Sequence, residues 1–236
     1  MKPERQTDAV RETFSDWCRR GRAEGMEDDH APAARVAFER LRLATGGRFL
    51  DVGCGNGYAV RWAAAAAPTG LAVGVDLSED MIEHARGLAK DVSNAHFVAG
   101  SITDLPREVL FPAAESPEAG SPEAGDDRSF DAIFSMEALY YVPELDRTLG
   151  RIRDLLRPGG RFSSTINFYD ENAASRSWPT DVGIHMNRLT AAAWKDAFAR
   201  AGFVDVEQDR IRLQPGETKD RWKVDEGSLW TMGARA

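Results

Sequence analysis

Cysteine is scarce: Cys18 and Cys54 are the two in the chain. Two thiols make no disulfide framework, and neither has a C-x-x-C partner, so no metal site is expected. Long apolar runs are also missing. The longest, Trp62 to Pro68, is mostly alanine and far short of the roughly 20 residues that span a bilayer. The opening MKPERQTDAV lacks the apolar core of a secretory signal, so a cytoplasmic location without a membrane partner is expected. Positive charge is in deficit, with 30 Lys and Arg against 38 Asp and Glu and a net charge of -8. Nucleic-acid binders carry a basic stripe. The short cluster Arg19, Arg20, Arg22 reads instead as a solvated helix face, so no nucleic-acid partner is expected.

What is present suits one domain: 236 residues, 42% of them apolar. Residues 1–30 are polar, with Phe14 and Trp17 as a helix-spaced apolar pair, and read as a helical cap or mobile lid. Residues 31–166 alternate strand and helix patterns and read as the ligand-binding core. Strands are expected at 48–52, 71–75, 96–99, 130–134 and 161–166. Helices are expected over 58–67, from Ser78 as N-cap, and from Pro143 to a stop at Pro158-Gly159-Gly160. Residues 167–188 are irregular, aromatic and polar, and residues 189–236 read helix, strand, strand. Such alternation predicts a doubly wound α/β fold, a mostly parallel sheet whose ligands sit beyond the strands' carboxyl ends. Between 111 and 128 the pentapeptide SPEAG repeats in tandem. Five acids there face Arg128 alone, so a disordered acidic surface loop is expected.

The first strand runs into Asp51-Val-Gly53-Cys-Gly55-Asn-Gly57. Glycine at every second position lets the backbone pass close to a ligand and turn into a helix. Nicotinamide dinucleotide enzymes use G-x-G-x-x-G; here the third glycine comes one residue early, and an acid two residues before Gly53 suits a cationic ligand better than a diphosphate. Asp76, at the tip of the second strand, can accept hydrogen bonds from both hydroxyls of a ribose. The competing role for Asp76 is a helix cap, which Ser78 already fills. Ser101 and Ile102, after the third strand, can meet an adenine edge. Ser135 and Met136 end the fourth strand beside the same ligand.

FLDVGCGNG, VGVDLSEDMIEHAR, AGSITDLP, SFDAIFSMEALYYV and LLRPGGRF stand in an order and spacing that resembles the class I S-adenosylmethionine-dependent methyltransferases over residues 48–166. The likeness is greatest to the small-molecule group that includes ubiquinone- and menaquinone-biosynthesis enzymes. The resemblance implies a seven-stranded sheet with a reversed last strand, S-adenosylmethionine as cofactor and S-adenosylhomocysteine as product. It implies that Asp51 and Gly53, with Cys54 and Gly55 in the same turn, hold the methionine end. Asp76 would take the ribose, and Leu77 and Met81 would pack on the adenine. Ser101 departs from relatives that carry an acid there.

The expected partner is a small-molecule acceptor; nothing in the sequence sets the oligomeric state. Glu137, Tyr140 and His185 are the catalytic candidates, and Trp17, Met26, His30, Tyr141, Tyr169 and Trp178 the acceptor-pocket candidates. Aromatic rings around one carboxylate can hold an amine by cation–π contact. A phenol- or quinone-like ring methylated at O or C is the alternative acceptor. Core packing competes for each aromatic, and a surface role for His30 and His185. From other classes, a nicotinamide-dependent oxidoreductase is disfavoured by the early glycine. A non-catalytic S-adenosylmethionine-binding protein stays open.

Overall fold

A computed structural model describes residues 2–112 and 128–236. The acidic repeat expected as a surface loop lies, over 113–127, outside the described residues. The chain forms helices α1 (Pro3–Arg19) and α2 (Ala23–Leu41), then β1 (Arg48–Val52), α3 (Tyr58–Ala66), β2 (Leu71–Asp76), α4 (Glu79–Leu88) and β3 (Ala95–Ala99). It continues through β4 (Phe130–Met136), α5 (Leu145–Leu155), β5 (Leu156–Ile166), α6 (Trp178–Val182), α7 (Ala191–Arg200), β6 (Phe203–Ile211), α8 (Arg221–Asp225) and β7 (Ser228–Arg235). The sheet order is β3-β2-β1-β4-β5-β7-β6. The pairs from β3 through β5 are parallel, and β7 runs antiparallel to both neighbours.

Alternation along the strands divides the core in two. Phe49, Ala72, Ala132 and Phe134 turn to one face, under Ala34, Ala37 and Phe38 of α2, Ala59 and Ala63 of α3, and Ala85 of α4. Leu50, Val73, Ile133 and Phe162 turn to the other, under Leu149 and Ile152 of α5 and Trp194 and Phe198 of α7. Each residue step reverses the side-chain direction, so burial on both faces makes these strands apolar throughout. The order reverses between β1 and β4, both of which run from the same end. That opens a crevice at their carboxyl ends, where ligands bind in open α/β sheets.

Three boundaries differ from expectation. The α2 helix passes unbroken through residue 30, so the cap is not a separate segment; its C-terminal part, from Ala33 to Leu41, belongs to the core face. The helix expected from Pro143 starts at Leu145, after a 3-10 turn at Leu139–Tyr141. It also ends earlier, because Leu156 is already extended and pairs with Phe130. The Pro158-Gly159-Gly160 stop therefore lies within β5, at a register shift of the β4–β5 ladder, with Gly159 at φ 72°. No helix among the described residues is long and apolar enough to cross a membrane.

Candidate active site

The glycine turn closes over β2: the Gly53 and Cys54 amides both donate to the Val75 carbonyl, at 2.8 and 3.0 Å. Gly53 and Gly57 have φ of 78° and 76°. A Cβ on Gly53 would sit 2.3 Å from that of Ala138, and one on Gly57 2.5 Å from the Phe97 ring. Glycine is thus required at both by the protein's own packing. A Cβ on Gly55 would meet nothing within 4 Å; that residue faces open space.

The turn is tied to the second strand by Asp76. One carboxylate oxygen accepts from the Gly55 amide at 3.0 Å and the other from the Ser78 amide at 2.9 Å. Ser78 itself caps α4, accepting from the Met81 amide at 3.1 Å. Burial raises the Asp76 carboxyl, and the amides pull it partly back. Asp51 is 3% exposed, and its Oδ1 has no hydrogen-bond partner. Burial first, and the Asp76 charge second, push its carboxyl well up. Two buried acids so placed disfavour each other's charge and favour any cation brought between them.

A cavity of about 580 Å³ opens here. Asp51, Gly53, Cys54, Gly55, Asp76 and Leu77 line it on one side. Met81, Ser101, Ile102 and Met136 line it too, and Met26, His30, Glu137 and Tyr141 extend it beyond the glycine turn. Ser101 Oγ is engaged with Thr103 Oγ1 at 2.7 Å. Burial lowers the His30 imidazole to about 4, which keeps it neutral.

Glu137 lines the same cavity, one residue before the Ala138 against which Gly53 packs. Its backbone is left-handed, φ 57°, a strained state for a residue with a long side chain. Its Oε2 accepts from the Tyr140 hydroxyl at 2.9 Å, and its Oε1 from the Asn167 amide. Burial pushes its carboxyl to about 8, against the pull of these two donors.

Other candidate residues lie off the cavity. Ser135 Oγ donates to the Val52 carbonyl at 2.8 Å and so stitches β4 to β1. Tyr140 is buried and reaches the site through its hydrogen bond to Glu137 and its ring contact with Tyr141. Trp17 lies beneath the Arg22 guanidinium, 4.2 Å from the ring centre, and its neighbour Phe14 takes the cavity wall against Tyr141. The Tyr169 hydroxyl donates to the Gly227 carbonyl at 2.8 Å, and Trp178 packs on Phe168 and Trp222. His185 is exposed, its carbonyl accepting from Gln6 of α1. No residue of 167–188 lines the cavity; among the described residues that wall comes from α1 and α2. Asn56 and Glu27 line it without having been singled out, and so does Phe14, read from the sequence only as half of an apolar pair. Asn56 stood in plain view inside the glycine turn.

A doubly wound sheet with a glycine turn, an acid at the tip of β2 and a crevice at the order reversal defines a nucleoside-binding domain of the methyltransferase class. The methyltransferase domain profile matches residues 23–208, and the chain belongs to that family. It is 32% identical over 148 residues to the 27-O-demethylrifamycin SV methyltransferase of Amycolatopsis mediterranei, covering 59% of this chain and 48% of that one. It is 35% identical over 129 residues to the demethylmenaquinone methyltransferase of Symbiobacterium thermophilum, covering 54% and 45%. The chain thus spans about half the length of these curated relatives. The methyltransferase-like chain solved in complex with the Haloferax volcanii Trm112 methyltransferase activator is 32% identical, with a TM-score of 0.76 over 94% of this chain and 97% of that one.

Proposed function

We propose that the chain transfers a methyl group from S-adenosylmethionine to a small amine. The observation that carries this is the row of buried carboxylates along one cavity, Asp76, Asp51 and Glu137. The arginines that line the cavity are engaged elsewhere, Arg11 with Asp8 and Arg147 with Glu144 and Asp104. The residues fit the cofactor. Asp76 keeps acceptor capacity for ribose hydroxyls, Leu77, Met81 and Ile102 offer an apolar slot for a base, and the orphaned Asp51 Oδ1 awaits a donor such as the methionine ammonium. When bound, S-adenosylmethionine supplies a methyl group on a positively charged sulfur that is ready to leave.

The chain's own residues then align, shield and move a proton. Helix α1 roofs the cavity with Val10 and Phe14 and excludes water. Phe14 and Tyr141, whose rings meet edge to face 5.3 Å apart, supply the aromatic surface that a cationic acceptor would use. The Glu137 carboxylate takes the amine's proton, freeing its lone pair for attack. A base whose carboxyl titrates near 8 suits that transfer close to neutral pH.

Radiolabelled cofactor tested against an amine panel and a phenol panel separates the readings. Turnover is expected on amines. Turnover confined to phenols or quinols would move the acceptor to the ring class. Tight cofactor binding without product from either panel would make this a binding protein.

The roof is also testable. Helix α1 buries Gln6 and Val10, packs the Phe14 ring 5.3 Å from that of Tyr141, and is otherwise held by polar contacts, such as Ser15 Oγ to Ser78 Oγ at 2.8 Å and Arg19 to Asp80 at 2.6 Å. Deleting residues 1–22 is expected to leave a cooperative melt and to weaken S-adenosylhomocysteine binding by about tenfold, as few apolar contacts are lost. Calorimetry showing unchanged affinity contradicts a roofing role.

The likeness to the Haloferax volcanii chain supports a second reading, that this protein also takes an activating partner. Co-expression with that Trm112 activator is expected to give one peak in size exclusion; two separate peaks speak against it.

A further inference from the structure

The glycine turn holds a second orphaned acceptor. Asn56 is 3% exposed, lines the cavity, and its Oδ1 has no partner. Its amide is not free to rotate. Asn56 Nδ2 donates to Glu27 Oε2 at 2.7 Å. A carboxylate only accepts, so the amide must turn its nitrogen to Glu27 and leave its oxygen unmatched. Glu27 is itself pinned by Arg61, whose Nη2 lies 3.1 Å from Oε2, while Arg61 Nη1 donates to the main-chain carbonyl of Asn56 at 2.7 Å. Buried acceptors without a donor are rare in folded proteins. Here two of them, Asp51 Oδ1 and Asn56 Oδ1, belong to one seven-residue turn against one cavity. A primary ammonium carries three N–H donors and can serve more than one acceptor.

We propose that Glu27 is a positioning residue for the amino-acid end of the cofactor, holding the Asn56 amide so that its carbonyl oxygen joins Asp51 in accepting from the ammonium. The inference rests on the cofactor reading above. It gives α2 a role beyond roofing. Glu27 lies beside Met26 and one turn from His30, both on the cavity wall, so filling the amino-acid end also steadies the acceptor wall.

The test compares two ligands by calorimetry: S-adenosylhomocysteine, which has the amino-acid end, and 5′-methylthioadenosine, which lacks it. Asn56→Leu and Glu27→Leu are each expected to weaken S-adenosylhomocysteine about tenfold while leaving 5′-methylthioadenosine within about twofold, since a single hydrogen-bond acceptor is lost. Glu27→Gln keeps an acceptor oxygen for Asn56 and is expected to bind much as the parent does. Thermal melts of each variant report the fold. Equal weakening of both ligands would mean a collapsed turn, and unchanged S-adenosylhomocysteine affinity in both leucine variants would mean a water fills the place; either overturns the proposal. If the unaltered protein binds neither ligand, the cofactor reading itself fails and takes this one with it.

Discussion

Asp76→Ala is expected to weaken S-adenosylhomocysteine binding by about 100-fold, because it removes a charged acceptor at the ribose and loosens the turn at once. The ribose loss follows from the remaining lone pairs of a carboxylate whose two oxygens each hold one amide. The turn loss follows from those amides: Gly55 and Ser78 are left without their acceptor. Stability moves less than affinity. Burial raises this carboxyl, so its charge costs the empty protein something at neutral pH, and removing it offsets part of the two orphaned amides. Asp76→Asn retains one acceptor oxygen and is expected to fall between. Calorimetry with S-adenosylhomocysteine checks the order; an alanine variant within about threefold of the parent contradicts the assignment of Asp76.

Glu137→Gln is expected to separate stability from activity. Burial raises the Glu137 carboxyl from 4.5 to about 8, so the folded chain binds this proton more tightly than the unfolded chain does. Its contribution to stability is therefore complete below pH 4.5 and is lost as pH rises through 8. The loss is on the order of 3–5 kcal/mol across that window. Glutamine keeps both hydrogen bonds: its oxygen accepts from the Asn167 amide and its nitrogen donates to the Tyr140 hydroxyl. Melting temperatures of parent and variant are expected to agree near pH 5 and to diverge near pH 9, with the variant higher. Parallel curves contradict the cause given for the shift. Activity moves the other way. Amine turnover is expected to drop on the order of 100-fold or more, the usual worth of a positioned base. In the parent, KM for a cationic amine is expected to fall as pH rises towards 8, since the acceptor favours the charged carboxylate. A gain in stability bought by losing a strained, buried acid is a common trade at active sites.

The half of the cavity proposed for the cofactor could be picked out from the chain because its chemistry is local. Gly53, Gly55 and Gly57 declare a tight turn, Asp51 and Asp76 end adjacent strands, and Ser78 caps the helix that follows. All lie within 28 residues of one another. The acceptor half could not. Residues 167–188 look like a binding segment because they are aromatic and polar, yet Tyr169 and Trp178 spend their rings on packing and His185 stays in solvent. Phe14 and Trp17 share one helix at helical spacing, and nothing in that spacing says which ring faces inwards.

Strand alternation, glycine placement and the acids at strand tips determined a doubly wound sheet and picked out the half of its crevice proposed for the adenosyl group. Those features act over a few residues, where backbone sterics and side-chain period leave few options. Tertiary structure alone decided which helices wall the other half. Gln6 reaches His185, Lys223 reaches Asp29, and Glu27 reaches Asn56 across separations of 179, 194 and 29 residues. Contacts at such distances are set by the packing of the whole core, and no local pattern records them.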